Sequence, residues 1–362
     1  MTGRQSTASK FGIGDPIPPI VLPSILGGSV DLSHQFIAGN TLILWFVESR
    51  DLPAAVDALT SRRNVFLELE TKPYIVLTSP LKESPDQLSG YQSVLMDRTG
   101  EVSTGLGVGT SGIVILGPNS RFETLLPAEA IDEALDVCRE IHNSTQKTEV
   151  SVQAPVLVVP SVLDPSLCEE LIDYWGAGEK LIDATASSAE GNATSRPDVK
   201  KRHDVILLNK ALFGRVKNRL TRRLFPEILK VFGFKTSNMD GVRIGCYDSA
   251  YQGFFGRHRD NRTPYTAHRK FALSLNLSQD YDGGQVRFPE YGRLLYRTKT
   301  GGAIVFSCSL LHEALPVTEG KRYALFTFFT DSEGQAMAEK MRAQEKMRAQ
   351  EGDARKPYHM QD

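Results

Sequence analysis

Cysteine is scarce in this sequence, which has four cysteines in 362 residues and no Cys-x-x-Cys pair. This excludes a disulfide scaffold and a zinc ribbon, and it indicates a reducing compartment, so we expect a cytoplasmic protein. Long apolar runs are also missing, since none approaches the roughly 20 residues of a membrane-spanning helix. The polar first ten residues lack the apolar core of a secretory signal. We therefore expect neither export nor a membrane partner.

An excess of charge of either sign is missing too, because the formal net charge is −1. This balance gives no general attraction to nucleic acid or to a membrane surface. One segment departs from it: residues 196–230 contain eleven Lys or Arg against three acidic residues. Such a segment can bind nucleic acid or an acidic substrate. We favour a plainer interpretation, the solvated face of an amphipathic helix with long basic side chains.

The length of the chain and a polar linker predict two domains. The linker, 143–154, has no apolar periodicity and is a good boundary. We predict a first domain over residues 11–145, a second over 155–332, and a charged helical tail over 333–362. The tail repeats Glu-Lys-Met-Arg-Ala-Gln twice. It is either a loosely attached helix or a contact in a homo-oligomer.

The first domain alternates apolar strands with helical patterns, which predicts an α/β unit. Continuous apolar runs predict buried strands at 41–47, 74–78 and 112–116. Helices are predicted at 53–70 and 127–141. The runs are apolar throughout rather than alternating, so the predicted sheet is covered on both faces.

This domain resembles the thioredoxin-like fold of peroxiredoxins. The resemblance rests on the Gly-Asp-Pro opening at 14–16, the stretch GGSVDL at 27–32 and the buried strand that follows. Peroxiredoxins place a nucleophilic cysteine just after that strand, where residues 48–53 read ESRDLP. No cysteine precedes Cys138, so thiol peroxide chemistry has no nucleophile here. The resemblance with this departure implies a redox-inactive scaffold or a partner-binding module.

The second domain changes to short strands after Val242. Residues 271–278 alternate apolar and polar side chains, and short apolar runs follow at 283–288, 303–308 and 323–329. Many short strands joined by glycine turns, such as residues 318–320, are typical of a sandwich or jelly roll.

Flanking helices are predicted before those strands. One helix begins at Pro165 with Asp164 as its N-cap and extends to about Trp175. An amphipathic pattern predicts a second over 211–224. Between them, residues 183–200 are rich in small and polar residues, which predicts a long loop or lid.

Three residues form a candidate metal site. His258 and Asp260 are two apart on a predicted extended segment, so their side chains point the same way. His312 follows the apolar run 302–311 and is the best third ligand. Two imidazoles and one carboxylate on one face form the facial triad of non-haem Fe(II) oxygenases. Arg322 follows across a predicted hairpin, and its guanidinium can bind a carboxylate in a bidentate fork. A metal beside a carboxylate receptor describes a 2-oxoglutarate pocket.

Residues 240–330 resemble the double-stranded β-helix core of Fe(II)/2-oxoglutarate-dependent dioxygenases, closest to the prolyl 4-hydroxylase-like group. The matching stretches are RIGCY at 243–247, FGRHRD at 255–260, DGGQVRFP at 282–289 and CSLLHEALPV at 308–317. Some prolyl hydroxylases carry lysine where Arg322 stands, and several members of the family have serine where this chain has Ala324. These departures loosen the subgroup and leave the cofactor unchanged.

The resemblance implies roles for five residues. It implies that His258, Asp260 and His312 are the iron ligands. It implies that Arg322 binds the distal carboxylate of 2-oxoglutarate, with Tyr247 as a second hydrogen-bond donor. The implied cofactors are Fe(II), 2-oxoglutarate and O₂, and ascorbate is a further candidate.

The implied reaction is hydroxylation of an unactivated C–H bond, coupled to decarboxylation of 2-oxoglutarate to succinate. The expected substrate is a prolyl or other side chain in a protein, peptide or amino acid. Two alternatives stay open: oxidative demethylation of a nucleobase, which the basic segment 196–230 favours, and a non-catalytic binding or sensing module with a vestigial iron site. Four arginines on the predicted metal rim either recognise an acidic or peptide substrate or are solvated: Arg257, Arg259, Arg262 and Arg269.

Overall fold

The computed structural model describes residues 10–340 except 35, 82–92, 145–148, 150–151 and 187–192. The chain divides into two compact units, Met1–Glu149 and Val150–Asp362. Of the predicted tail, a helix is described up to residue 340, and the rest lies outside the described residues. Among the helices that are described, none combines the length and apolarity that crossing a bilayer requires.

The first unit is built around one mixed sheet. The strands of this unit are β1 (Val21–Pro23), β2 (Ser29–Asp31), β3 (Thr41–Val47), β4 (Thr71–Leu77), β5 (Val94–Met96), β6 (Gly112–Leu116) and β7 (Phe122–Leu126). Strands β1 and β2 pair with each other, and the other five form the mixed sheet. Its helices are α1 (Leu52–Ser61), α2 (Arg63–Glu68), α3 (Glu101–Leu106) and α4 (Ile131–Asn143). The sheet order is β5-β4-β3-β6-β7. Strands β3, β4 and β5 are parallel, β6 is antiparallel to β3, and β7 is antiparallel to β6.

Both faces of this sheet are covered, which explains why every residue of β3 is buried. Alternate residues of β3 join two different cores, one with α1, α2 and α4 and one with α3. The predicted strands correspond to β3, β4 and β6. The helix predicted over 53–70 is two helices, because the chain tightens at Arg62, whose N–H bonds to the Leu59 carbonyl three residues back. The predicted helix 127–141 begins only at Ile131.

The second unit is rich in strands. They are β8 (Leu157–Val159), β9 (Leu181–Ile182), β10 (Ala184–Ala186), β11 (Ala193–Ser195), β12 (Lys200–Lys201), β13 (His203–Ile206), β14 (Asn238–Asp248), β15 (Phe254–His258), β16 (Phe271–Asn276), β17 (Tyr281–Gly283), β18 (Val286–Arg287), β19 (Leu295–Tyr296), β20 (Ala303–Ser307), β21 (His312–Ala314) and β22 (Val317–Thr330). The helices are α5 (Pro165–Ala177), α6 (Lys210–Arg223) and α7 (Phe225–Phe232).

Two antiparallel sheets form the body of this unit. The larger has the order β8-β20-β16-β22-β14-β13-β9, with β17 pairing to β22, and the smaller has the order β12-β15-β21-β18-β19. Side chains of both sheets share one apolar cluster, including Phe306 on β20 and Val286 on β18. The other face of the larger sheet is covered by the helices, with Val216 and Leu220 of α6 packed in the same core as Leu275 of β16.

Three details of the predicted second domain differ from the structure. Residues 183–200 are not one long loop, because β10 and β11 pair within it and β12 follows. Residues 318–320 are not a turn: they lie inside β22, where the pairing with β17 is irregular and Gly320 has a positive φ of 68°. Asp164 has the extended backbone of an N-cap, but its carboxylate accepts hydrogen bonds from Arg219 and Arg223 of α6 instead of capping α5.

Candidate metal centre

The three predicted metal ligands meet at one end of the smaller sheet. Strands β15 and β21 are antiparallel neighbours, and His258 and His312 are partners in their register. Asp260 lies two residues beyond β15, where its N–H donates to the Cys308 carbonyl at 3.0 Å. One ligand atom from each of the three residues lies within 4.8 Å of the others. The Asp260 carboxylate oxygens are each 3.4 Å from one imidazole Nε2.

The hydrogen bonds of the two imidazoles point their free lone pairs at this centre. Nδ1 of His258 is 2.7 Å from the Gly256 carbonyl oxygen, and Nδ1 of His312 is 3.0 Å from that of Leu310. A carbonyl oxygen only accepts, so Nδ1 carries the proton in both rings and Nε2 is left as the ligand atom. Metal-binding histidines usually donate the N–H of their other ring nitrogen to a carbonyl or carboxylate in this way.

The surroundings shift the pKa values of His312 and Asp260 below their usual ranges. Burial lowers the pKa of His312 to about 4, which keeps this imidazole neutral. Burial works to raise the pKa of Asp260, but positive charge nearby, including that of Arg269, outweighs it, so the pKa is lowered overall. A neutral imidazole and an ionised carboxylate are the forms that bind a metal.

Aromatic rings hold the two imidazoles in place. Phe255 stacks on His258 with 3.6 Å between ring centres, and Phe306 meets His312 edge-on at 4.6 Å. These rings make the wall beside the ligands apolar and restrict the orientation of each imidazole.

The larger sheet contributes Arg322, whose side chain is buried. Its Nη2 donates to the Ser274 hydroxyl at 2.9 Å, whereas Nη1 is buried with no hydrogen-bond partner among the described residues. A buried donor without an acceptor costs about 1–3 kcal/mol. A carboxylate supplied by a ligand is the acceptor that fits a guanidinium best. The predicted role of Arg322 on 2-oxoglutarate is therefore consistent with its surroundings.

Tyr247 lies beside Arg322, because the two are register partners on β14 and β22. Its hydroxyl oxygen accepts a hydrogen bond from Arg202 Nη1 at 3.1 Å. Because that oxygen is the acceptor, its own proton remains available for a second partner in the cavity. The arrangement fits the predicted role of Tyr247 as a hydrogen-bond donor.

A buried charged cluster beside Tyr247 was missed by the sequence analysis. Asp204 accepts from Lys200 Nζ at 2.8 Å and from Arg202 Nε at 2.5 Å, and all three residues are buried. Gly245 makes room for the cluster, since a Cβ there would lie 2.6 Å from Asp204 Oδ1. The solvated-face interpretation of segment 196–230 is thus wrong for these residues. Most basic residues of α6 are exposed as expected, namely Lys210, Arg215, Lys217 and Arg222.

The cluster was detectable in principle, since residues 200, 202 and 204 are charged at the period of a strand. Its charges are unequal, because two cations share one carboxylate. Burial works to raise the pKa of Asp204, but Arg202 and Lys200 lower it to about 2. Burial and the neighbouring Arg202 lower the pKa of Lys200 to about 7, although Asp204 opposes that shift. Both pKa values are lowered, so Asp204 stays ionised and Lys200 is the group of the pair that releases its proton.

A cavity of about 330 Å³ joins these features, with walls from both sheets. Its lining includes the three candidate ligands together with Tyr247 and Arg322. Of the four arginines predicted on the metal rim, three line it: Arg259, Arg262 and Arg269. Arg257 does not line the cavity: its side chain is 59% exposed, and its Nε lies 3.5 Å from Oε1 of Glu313, which does.

Several curated proteins are similar to parts of this chain. A PKHD-type hydroxylase of Synechococcus sp. is 32% identical over 90 residues, 23% of this chain and 39% of that protein. One of Pseudomonas putida is 34% identical over 98 residues, 25% of this chain and 42% of that protein. One of Xanthomonas euvesicatoria is 25% identical over 191 residues, which are 49% of this chain and 78% of that protein. The chain thus spans about 39% of the length of the first of these relatives. No protein-family model matches it.

Solved structures show weaker likenesses. A prolyl hydroxylase from Trichoplax adhaerens, in complex with a hypoxia inducible factor peptide fragment, has a TM-score of 0.40 at 14% identity, covering 51% of this chain and 88% of that one. A Pseudomonas putida prolyl-4-hydroxylase has a TM-score of 0.36 at 17% identity, and the match covers 49% of this chain and 93% of that one. At these TM-scores the likenesses support no further conclusion.

Proposed function

We propose that the second unit is an Fe(II)- and 2-oxoglutarate-dependent hydroxylase built on a double-stranded β-helix. One observation carries the proposal: His258, Asp260 and His312 place their ligand atoms within 4.8 Å of one another, in a cavity that also contains the unpaired Nη1 of Arg322. Two imidazoles and a carboxylate suit Fe(II) with open positions. The curated relatives are hydroxylases by name, which supports the same reaction type.

Each residue has a role in this proposal. When bound, Fe(II), 2-oxoglutarate and O₂ supply the oxidising power that hydroxylates a C–H bond and yields succinate and CO₂. The Nε2 atoms and Asp260 hold the metal. Arg322, positioned by Ser274, binds the distal carboxylate of 2-oxoglutarate, and the Tyr247 hydroxyl donates to the same ligand. The rings of Phe255 and Phe306 limit access of water to the ligands.

The substrate that we propose is a prolyl or other side chain in a protein, peptide or amino acid. The nucleobase alternative is weakened by the position of Lys200 and Arg202, which are buried and paired with Asp204 rather than exposed for nucleic acid. The cytoplasmic location also remains our proposal. It is supported by the four cysteines, which are all free and buried.

For the first unit we infer a thioredoxin-like scaffold without thiol chemistry. The inference is supported by the strand order β4-β3-β6-β7 around a buried parallel pair. The place after β3, where a peroxiredoxin has its nucleophile, is a short 3₁₀ helix over Ser49–Asp51. Cys138 lies on α4 instead, and burial raises the pKa of its thiol to about 11. A thiol in that state is a poor nucleophile at neutral pH.

The proposed activity is tested by succinate release from 2-oxoglutarate when O₂ is added to protein loaded anaerobically with Fe(II), with and without ascorbate. We expect turnover in the wild type and its loss in His258→Ala and Arg322→Ala. Binding of 2-oxoglutarate to the Mn(II)-loaded protein is measured in parallel, because turnover without substrate can be slow. A wild-type protein that binds neither metal nor 2-oxoglutarate would contradict the proposal.

A further inference from the structure

The cavity around the metal centre is strongly cationic. Eight of its lining residues are Arg or Lys, against two carboxylates, Asp260 and Glu313. A single 2-oxoglutarate accounts for one of these cations, Arg322. The remaining excess must be balanced by neighbouring acidic residues or by a second ligand.

Most of the remaining cations have an acidic partner behind the cavity wall. Asp204 pairs with both Lys200 and Arg202. Three further pairs bring the N and O atoms to between 2.6 and 3.0 Å: Arg196 with Asp198, Arg259 with Glu290, and Arg269 with Asp240. Two lining arginines, Arg243 and Arg262, have no carboxylate within 4.0 Å among the described residues.

Arg243 differs from Arg262 in being mostly enclosed rather than exposed. Its Nε donates to the Gly241 carbonyl at 3.2 Å, and its two Nη atoms have no hydrogen bond to any described residue. Burial is the main influence on this guanidinium and lowers its pKa, although Asp204 and Asp240 attract the charge from a distance. A largely enclosed guanidinium that faces the cavity without a direct partner is stabilised when an anion binds beside it.

The position of Arg243 separates it from the 2-oxoglutarate end of the cavity. It lies four residues before Tyr247 on β14, so both side chains face the same side of the sheet. Its register partner on β22 is Phe326, whereas that of Tyr247 is Arg322. At about 3.3 Å per residue, the two arginines are about 13 Å apart along the strands. The candidate ligands line the same cavity from the opposing sheet.

We infer that the substrate of this enzyme carries a carboxylate, and that Arg243 binds it in a bidentate fork while Arg322 holds 2-oxoglutarate. The inference rests on the proposed function. A single enclosed guanidinium matches the charge and planar shape of one carboxylate. Two sources supply that group: the main-chain carboxylate of a free amino acid, or an Asp or Glu side chain next to the hydroxylated residue in a peptide.

Matched probes separate these sources. One set consists of free amino acids, proline among them, each compared with its carboxamide. The second consists of end-blocked peptides containing Glu-Pro or Gln-Pro. A third compares nucleosides with their monophosphates. Dissociation constants are measured by anaerobic calorimetry on the full chain loaded with Mn(II) and 2-oxoglutarate, and succinate release is measured with Fe(II).

In the wild type we expect at least one carboxylate probe to bind about 10- to 100-fold more tightly than its amide, the range of a charge-assisted hydrogen bond. In Arg243→Gln that preference should fall below about 2-fold, while the dissociation constant of 2-oxoglutarate stays within about 2-fold, because Arg322 is untouched. Arg215→Gln is the matched control, since Arg215 is an exposed arginine of α6 paired with Glu170. It should keep the full preference.

The outcomes are distinguishable. If no carboxylate binds more tightly than its amide, if Arg243→Gln keeps the preference, or if only the monophosphates are selected, the inference is wrong while the hydroxylase proposal stands. If the wild type binds neither Mn(II) nor 2-oxoglutarate, both are wrong. Should Arg243→Gln fail to fold, Arg243→Lys decides: this variant keeps the charge but loses the fork, and an unchanged preference in it would overturn the inference.

Discussion

His258 and His312 are cross-strand partners on β15 and β21, with their ring centres 4.2 Å apart. They are 54 residues apart in the sequence, so the register of the smaller sheet alone brings the two imidazoles together. A slip of one residue would turn one ring to the other face of the sheet. The candidate metal site therefore depends on correct strand pairing as much as on the ligand residues.

Removing either imidazole should weaken metal binding strongly. Loss of a group that only supports a metal ligand usually weakens binding 10- to 100-fold. We therefore expect His258→Ala and His312→Ala to weaken Mn(II) binding by more than about 100-fold, measured by calorimetry or by metal content after dialysis. His203→Ala is the control, since His203 stacks on Tyr251 away from the ligands and should bind Mn(II) normally. Normal metal content in His312→Ala would contradict the site.

Replacing Arg322 should weaken 2-oxoglutarate binding without affecting the metal. Arg322→Gln removes a charge-assisted pair, and we expect a loss of roughly 10- to 100-fold in affinity. Arg322→Lys keeps the charge but not the fork, so its loss should be smaller. Titration of each Mn(II)-loaded variant with 2-oxoglutarate measures its affinity. Arg293→Gln, at an exposed position, should match the wild type. Equal affinities in all three variants would exclude Arg322 from the 2-oxoglutarate site.

The fold should be sensitive to loss of the Asp204 charge. Asp204→Asn leaves Lys200 and Arg202 buried without their shared carboxylate, and breaking a buried pair costs about 3–5 kcal/mol. Urea denaturation measures the loss. Asp198→Asn removes an exposed partner of Arg196, and its midpoint should be indistinguishable from that of the wild type. A similar midpoint for both variants would contradict the importance of the buried cluster.

Lys200 should make stability depend on pH. Its pKa is lowered from 10.5 to about 7 in the folded chain, so between these values the unfolded chain binds a proton that the folded chain does not. The free energy of unfolding should therefore rise with pH in this window, by up to about 1.4 kcal/mol per pH unit. Lys200→Met should remove this rise, and Lys201→Met should keep it. Parallel stability curves for wild type and Lys200→Met between pH 7 and 10 would show that the lysine keeps its proton.

The cysteines should be unreactive in the folded chain. All four are free and buried. Burial raises the pKa of Cys138 to about 11 and those of Cys168 and Cys246 to about 12. Because the thiolate is the reactive form, we expect almost no labelling by a thiol reagent at pH 8 and four labelled thiols after denaturation. Rapid labelling of one thiol in the native protein would reopen the question of thiol chemistry in the first unit.

Residue patterns were enough to predict strands β3, β4 and β6 of the first unit and to select His258, Asp260 and His312 as candidate metal ligands, since both inferences use local sequence. The apolar run of β3 and the spacing of His258 and Asp260 are examples. The same reasoning failed where a charged residue is buried. Lys200 and Arg202 look like solvated basic residues until Gly245 and Asp204 are placed beside them. It also failed at residues 318–320, because a glycine with positive φ serves a strand irregularity as well as a turn.

By itself the sequence determined which chemical groups the chain has for the proposed reaction. It contains the donor set for Fe(II) and a guanidinium for a carboxylate, and it has no cysteine where a peroxiredoxin needs one. The tertiary structure decided which of its charges have partners. Asp204 and Arg202 are two residues apart, so the strand period places their side chains together, but only the pairing of β13 with β14 buries them against Gly245. The lack of a carboxylate beside Arg243 likewise depends on which distant residues are brought to the cavity. Local pattern does not encode these surroundings, because the energy of a buried charge is set by its neighbours in space.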